Sequence, residues 1–284
     1  MKYNAYIITG PTASGKSSFA HTLAREINGT IINADSVQIY RGIENISASP
    51  FAGREIVGEI DGVPYRLFSI LPLTEQISVV EYLEKAHAEY DAAIKAGRTP
   101  IFVGGTGYYI NALINGISPM PDIDDDVRAQ AREMVANDIE AARKMLSPEF
   151  APTDPQRVAR ALEVFLQTGH QINEFQNVTR VGAVAPNAHR VLINPDINVL
   201  RAHIAARIPE MMAGGAMDEA RAVIDSGWNE NRAIGATQLC QYLRGEITMD
   251  TAIENWITKT NQYAKRQRTW FRTQFNPDEI ITEI

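Results

Sequence analysis

Short apolar runs alternate with helical patterns through the first third of the chain. The runs "AYIIT" (5–9), "TIIN" (30–33), "YRLFSI" (65–70) and "PIFVGG" (100–105) are β-rich and bounded by turn residues, which predicts buried strands. Between them, Ser17 to Ile27 and Val79 to Ala96 carry helical spacing, and Gly97 supplies a natural C-terminal stop. Alternation of this kind predicts an α/β fold, a doubly wound parallel sheet with helices on both faces. After residue 117 the pattern changes. Val127, Ala131, Met134, Val135, Ile139, Ala142 and Leu146 recur at helical intervals, and a second helix is framed by Asp154 as N-cap, Pro155 at its first position and Gly169 at its end. No strand is evident again until "HRVLINP" (189–195), and the remainder reads as mostly helical. The expected organisation is therefore a core in two parts, 1–117 and 188–284, with a helical insertion at 118–187.

Composition changes this picture little. Of 284 residues, 45% are hydrophobic and 21% charged, which suits a globular chain with a real core. The single cysteine, Cys240, excludes an internal disulfide and thiolate zinc sites, and it lies in an apolar helical stretch that suits the core. No apolar run approaches the roughly 20 residues of a membrane span, and no leader segment precedes the first strand, so a cytoplasmic protein without a membrane partner is expected. The net charge of −7 argues against a protein that coats nucleic acid, but the charge is unevenly spread.

The clearest chemistry is Gly10-Pro11-Thr12-Ala13-Ser14-Gly15-Lys16-Ser17, which matches G-x-x-x-x-G-K-[ST] between a strand and a helix. Glycines let backbone N–H groups turn around phosphate oxygens, the helix N-terminus adds positive potential, Lys16 adds a full charge, and the Ser17 hydroxyl can ligate magnesium. This P-loop pattern serves any enzyme that handles a diphosphate or triphosphate. An ATPase of this type places a carboxylate at the end of a later strand. Here "PIFVGG" ends in glycines, and Asp196 follows Asn194-Pro195, which disfavours that reading.

Asp35, in "INADSVQIY", falls beyond the carboxyl end of the second strand, the edge where open parallel sheets bind ligands. It is either a chemical group for magnesium or a proton-donating substrate, or the cap of a following helix with Ser36 assisting. "VGGTGYY" (103–109) makes a second glycine-rich junction on that edge, with a hydroxyl at Thr106. Near the C-terminus, residues 258–272 hold Lys259, Lys265, Arg266, Arg268 and Arg272 and no acid. Lys265, Arg268 and Arg272 share a helical face, either a stripe for a phosphate backbone or a solvated surface. "PDIDDD" (121–126) superficially resembles an aspartate-rich magnesium motif, but its place before a helix favours pairing with the dipole. The five histidines show no zinc spacing.

Taken in order, "GPTASGKS", "DSVQIYRG", "VGGTGYY", "DPQRVARALEVFLQTG" and "YAKRQRTWFR" resemble the tRNA dimethylallyltransferase family, also called tRNA isopentenyltransferases, from about residue 6 to residue 272. The resemblance implies transfer of a dimethylallyl group from its diphosphate to the exocyclic amine of the tRNA adenine 3′ of the anticodon, with magnesium assisting. The P-loop residues 10–17 would then hold the diphosphate of the prenyl donor and not ATP, with Ser17 the expected metal ligand. By the same resemblance Asp35 is the base, Thr106 a hydroxyl near the transferred group, and Lys16 and Arg207 the cations at the diphosphate. Implied tRNA contacts are Asp35, Ser36, Val37, Gln38, Thr106, Arg128, Gln156, Arg157, Arg160, Arg232, Gly235, Lys265, Arg266, Gln267, Arg268 and Arg272. The target base is expected to be flipped out of its loop, and a monomer is favoured.

The chain departs from the family pattern at Ser49, where a lysine is usual, at Tyr65 and Ser69, where histidine and aspartate are usual, and at Ala236 and Thr237, where tyrosine and a basic residue are usual. These departures are expected to touch substrate recognition. Three other readings stay open: an adenylate isopentenyltransferase, a small-molecule kinase, and a non-catalytic RNA-binding protein.

Overall fold

The computed structural model describes residues 3–283. Its central sheet is built from β1 (Tyr6–Thr9), β2 (Gly29–Asn33), β3 (Glu59–Ile60), β4 (Val63–Arg66), β5 (Thr99–Gly104), β6 (His189–Ile193) and β7 (Glu279–Ile281), in the order β3-β4-β2-β5-β1-β6-β7. All neighbouring pairs are parallel except the β3–β4 hairpin. Ile7 and Ile8 point to opposite faces of β1, and both are 0% exposed. Both faces are thus covered, as a parallel sheet requires.

Register sets up the site. Thr9 stands beside Gly104, and Asn33 beside Val103, so the chain leaves β1, β5 and β2 at one edge of the sheet. The phosphate loop, the Thr106 junction and Asp35 are therefore delivered to the same place by strand pairing alone.

The described residues form two compact units, 3–114 with 183–283, and 115–182. The first holds the sheet with α1 (Lys16–Glu26), α2 (Val79–Lys95), α3 (Gly107–Asn115) up to residue 114, α8 (Ile197–Ala213), α9 (Ala216–Ser226), α10 (Ala236–Leu243) and α11 (Met249–Gln274). The second holds α4 (Asp125–Asn137), α5 (Ile139–Arg143), α6 (Pro155–Thr168) and α7 (Ile172–Gln176), with its own core around Ala131, Val135, Val158 and Leu162. Sequence placed the insertion at 118–187; the compact unit begins and ends a few residues earlier.

One sequence expectation changes, and two strand features add to the reading. The strand expected over 65–70 stops at Arg66, because Leu67 and Ser69 take positive φ and the following N–H groups turn to the carbonyls of Gln38 and Ile39. The β3–β4 hairpin closes on Asp61-Gly62, both at positive φ, the conformation a two-residue hairpin favours. The C-terminal segment is mostly helical, as the pattern predicts, with one short strand, β7, that pairs with β6. Asp154 caps α6 as expected, accepting from Arg157 N–H, and Cys240 is fully buried. Asp124 occupies the N-cap position of α4 but makes no side-chain cap; Asp125 and Asp126 lie in the first turn, where their charge meets the helix dipole. Among the described residues no helix is long and apolar enough to cross a membrane.

Candidate active site

The phosphate loop turns on Gly15, whose φ of 84° places it at the N-cap of α1. The first N–H groups of α1 have no partner within the helix and face outward as an anion site. Two residues of α8, one turn apart, hold the loop from the side. His203 Nδ1 donates to the Ala13 carbonyl at 3.1 Å, and Arg207 Nη2 donates to Thr12 Oγ1 at 2.9 Å. From the other side, Gln267 of α11 accepts from Thr12 N–H and donates to the Gly105 carbonyl, each at 2.8 Å. Gly105 must lack a side chain here, since a Cβ would lie 2.5 Å from Gln267 Nε2.

Asp35 is fixed by its neighbour. The buried Asn33 accepts from Asp35 N–H at 2.9 Å, and its amide donates to the Asp35 and Leu67 carbonyls. Asp35 Oδ1 accepts from Val37 N–H at 2.9 Å and Gln38 N–H at 3.4 Å, closing a turn and not a helix. Its Oδ2 makes no hydrogen bond among the described residues. The helix-cap reading therefore fails, since no helix follows: one oxygen closes the turn, and the other is left unbonded on the cavity side. Thr106 Oγ1 accepts from Ser36 N–H at 3.0 Å and lies 3.2 Å from Ser36 Oγ, which ties the second glycine junction to the Asp35 turn.

These parts enclose a cavity of about 570 Å³. Its lining includes residues 12–18 of the loop, Asp35 to Gln38, Ile46 to Ala48, Arg207, Met211, Ile234, Trp256, Tyr263, Arg266 and Gln267. The charged members are Lys16, Arg207, Arg232 and Arg266 against Asp35 alone, a positive focus in a chain of net charge −7. Burial holds the Lys16 ammonium down to about 8, with Asp35 opposing that shift and Arg207 adding to it. Burial also lowers the Arg207 guanidinium, again opposed by Asp35. Burial and the Asp35 charge push the Tyr263 hydroxyl well up. Ser14 Oγ and Arg207 Nε are buried without a partner. Unmet donors beside two crowded cations suit an anion with many acceptor oxygens. The cavity's apolar lining comes from Ile46, Met211, Ile234 and Trp256, with the Tyr263 ring.

The structure divides the predicted contact residues. Ser36, Val37, Gln38, Arg232 and Arg266 line the cavity with Asp35. Arg232 also reaches Tyr40 Oη at 3.0 Å and Gln76 Oε1 at 2.8 Å. Gln267 was expected to face RNA; its amide is spent on the loop clamp, and it is 7% exposed. Gly235 is buried under Trp256, where a Cβ would come within 2.5 Å of the indole, so its part is steric. Lys265, Arg268 and Arg272 lie on the other face of α11 and line a separate groove of about 610 Å³ with Arg201. None of these four makes an ion pair among the described residues, though Arg268 donates to the Pro195 carbonyl at 3.0 Å. In the insertion, Gln156 and Arg160 line a groove of about 590 Å³ with Arg132 and the buried Glu163, which pairs with both arginines. Arg157, also implied as a tRNA contact, does not line that groove and pairs with Asp154 at 3.5 Å, and Arg128 Nη2 donates to the Ile123 carbonyl at 3.3 Å. Asp196 caps α8, accepting from Asn198 N–H, which explains its place after the proline.

The departures from the family pattern lie outside the cavity lining. None of Ser49, Tyr65, Ser69, Ala236 and Thr237 lines the cavity. Ser49 Oγ accepts from Phe51 N–H, the Tyr65 hydroxyl bonds His21 Nδ1, and Ala236 is core. Sequence reasoning missed Asn33, His203, the Ile46–Ala48 wall and Trp256. Only His203 carried a local signal, its i,i+4 spacing to Arg207.

Fold and site together define a P-loop-type α/β protein whose cavity is lined by the glycine-rich loop, by apolar side chains and by a carboxylate with one free oxygen. Comparison with known proteins narrows this. The family profile described as "IPP transferase" matches residues 38–274, and one described as "Isopentenyl transferase" matches residues 3–62. A tRNA dimethylallyltransferase of Gluconacetobacter diazotrophicus is 40% identical over 277 residues, 93% of this chain and 82% of its own length. One from Rhizobium etli is 39% identical, covering 96% of this chain and 95% of its own. Among solved structures, the tRNA isopentenylpyrophosphate transferase of Bacillus halodurans superposes with a TM-score of 0.70 at 30% identity, covering 100% of this chain and 91% of its own. A eukaryotic dimethylallyltransferase acting on tRNA shares the fold, with a TM-score of 0.75 at 23% identity over 98% of this chain and 74% of its own. The chain belongs to the IPP transferase family.

Proposed function

We infer that this protein transfers a dimethylallyl group from dimethylallyl diphosphate to the exocyclic amine of an adenine in tRNA, the one 3′ of the anticodon, and releases diphosphate. The observation that carries this reading is the cavity itself. A kinase also needs the phosphate cradle, but the same cavity is lined by apolar side chains that suit a short prenyl chain and by Asp35, whose Oδ2 is left unbonded.

The chemistry then follows from the residues. The adenine amine is a weak nucleophile because its lone pair is delocalised into the ring. As its nitrogen bonds the allylic carbon, the carbon–oxygen bond to diphosphate breaks, and the departing diphosphate keeps that electron pair. Asp35 Oδ2 accepts the amine proton. Charge gathering on the leaving group is met by Lys16, Arg207 and the loop N–H groups. Thr106 acts by holding Ser36, whose turn carries Asp35.

Magnesium fits the donor set. Among the described residues no cluster of three acidic, histidine or cysteine side chains exists to cage a metal. The Ser17 hydroxyl lines the cavity beside the phosphate cradle, and magnesium characteristically takes few protein ligands and fills its shell with phosphate and water. Its contribution when bound would be to neutralise diphosphate charge. The basic α11 groove and the Arg160 groove of the insertion are the surfaces proposed to carry the tRNA backbone.

The test is transfer of label from dimethylallyl diphosphate to tRNA, with AMP offered in parallel. Label in tRNA alone is expected; label in AMP would point to the nucleotide enzyme. Asp35→Asn keeps the Oδ1 acceptor that closes the turn and removes the base. It should lower kcat by about 10²–10⁴-fold while tRNA binding persists; unchanged kcat would remove Asp35 from the chemistry.

A further inference from the structure

The cavity wall at residues 46–48 is held from outside the cavity. The segment is a compact turn, closed by Ser47 N–H to the Ile43 carbonyl, Ala48 N–H to the Asn45 carbonyl and Ser49 N–H to the Glu44 carbonyl. Two of its backbone N–H groups point away from it to α9. There the half-buried Glu219 takes Asn45 N–H at 2.7 Å and Asn45 Nδ2 at 2.8 Å on Oε1, and Ile46 N–H at 2.8 Å on Oε2. Three donors on one carboxylate leave no room for a group that itself donates. The turn also sits close on the α8–α9 junction, where a Cβ at Gly214 would lie 2.4 Å from Asn45 Oδ1.

On its other side the turn holds Gln38. The Gln38 amide donates both protons of Nε2, one to the Ser47 carbonyl at 3.1 Å and one to the Ala48 carbonyl at 2.9 Å. This fixes which end of the amide is free: Oε1, an acceptor with no bond among the described residues. Gln38 N–H meanwhile contributes to the turn closed by Asp35 Oδ1. Hydrogen bonds and the backbone of the 45–48 turn thus connect Glu219 to the Ser47 and Ala48 carbonyls, and these through Gln38 to Asp35.

We propose that Glu219 is a positioning residue for acceptor recognition: its carboxylate fixes the 45–48 turn, and the turn fixes the Gln38 amide with its oxygen toward the acceptor base. An acceptor at that place matches the N–H₂ of adenine and opposes the carbonyl that guanine carries at the equivalent position. The proposal rests on the prenyl-transfer reading. It leaves the phosphate loop out, because Lys16, Arg207 and Gln267 hold the loop without using Glu219.

The test compares Glu219→Gln, Gln38→Ala and the double variant in the full-length protein. An amide at 219 sets a donor against one of the three donors it now accepts. Glu219→Gln should raise KM for tRNA and lower kcat, about tenfold together in kcat/KM, with the affinity for inorganic diphosphate changed less than twofold. Because Glu219 acts through Gln38, the double variant should be no worse than Gln38→Ala. Asn45→Ala, which removes only one of the three bonds, should show the same pattern more weakly and serves if Glu219→Gln does not fold. The proposal is overturned if losses in the double variant simply add, if diphosphate affinity falls in step with tRNA kinetics, or if both single variants on the Glu219 side behave as wild type. Wild-type protein that prenylates no tRNA would instead overturn the reading on which the proposal rests.

Discussion

Gln267 is the point at which the site can be loosened without touching a charged group. Its side chain is 7% exposed and joins the phosphate loop to the Gly105 junction through two bonds of 2.8 Å. Gln267→Met keeps length and volume but leaves Thr12 N–H and the Gly105 carbonyl without partners. An orphaned buried backbone group costs about 1–3 kcal/mol, so two cost about 2–6 kcal/mol, to which a near-isosteric swap adds under about 1.5 kcal/mol. That cost has two outlets. If the loop stays in place, it appears as lost stability; if the loop relaxes, ligand must reorder it, and diphosphate affinity falls about tenfold for each 1.4 kcal/mol. Denaturant unfolding of the protein and titration with dimethylallyl diphosphate measure the two parts, and their sum should reach at least about 2 kcal/mol. Gln267→Glu separates the bonds, since it can still accept from Thr12 N–H but sets an oxygen and a negative charge toward the Gly105 carbonyl and the anion site. It should bind diphosphate more weakly than the Met variant. A Gln267→Met protein with wild-type midpoint and wild-type affinity would refute the clamp.

Three further outcomes are expected. Lys16, held to about 8 by burial, loses its proton as pH rises through that value, and a bound diphosphate raises it again. Binding above pH 8 therefore takes up a proton, and Kd for dimethylallyl diphosphate should weaken by up to about tenfold per pH unit there; calorimetry in buffers of different ionisation enthalpy checks this, and a flat Kd from pH 7.5 to 9.5 would contradict it. Gly235→Ala puts a Cβ 2.5 Å from the Trp256 ring at a φ of +100°, so it should cost about 2–4 kcal/mol and lower Tm. Lys265→Ala and Arg272→Ala should each reduce the salt dependence of tRNA binding by about 0.7–0.9 in log–log slope while leaving diphosphate binding unchanged; an unchanged slope would remove the α11 groove from the RNA surface.

What was legible in the sequence was what local chemistry dictates. The phosphate loop, its flanking strand and helix, the Asp154 cap and the Gly97 stop are each written within a few residues, and the structure holds them where the pattern put them. Apolar runs located the strands but not the point at which the chain leaves the sheet, which is why "YRLFSI" overran into residues bonded to the Gln38–Ile39 turn. Contacts that assemble the cavity are of another kind. Gln267 meets Thr12 across 255 residues, Arg207 meets the same threonine across 195, and Glu219 meets Asn45 across 174. No spacing rule reaches that far. α11 shows the consequence most plainly. In sequence, spacing already puts Lys265, Arg268 and Arg272 on one helical face, but it does not show that Arg266 and Gln267, implied as RNA contacts beside them, turn into the cavity. In the fold, a rotation of about 100° per residue sends Tyr263, Arg266 and Gln267 into the cavity and Lys265, Arg268 and Arg272 into a different groove. Adjacent residues of one motif thus line the cavity on one face and a basic groove on the other. Their substitutions should therefore separate cleanly into diphosphate affinity at Gln267 and salt-dependent RNA affinity at Lys265 and Arg272.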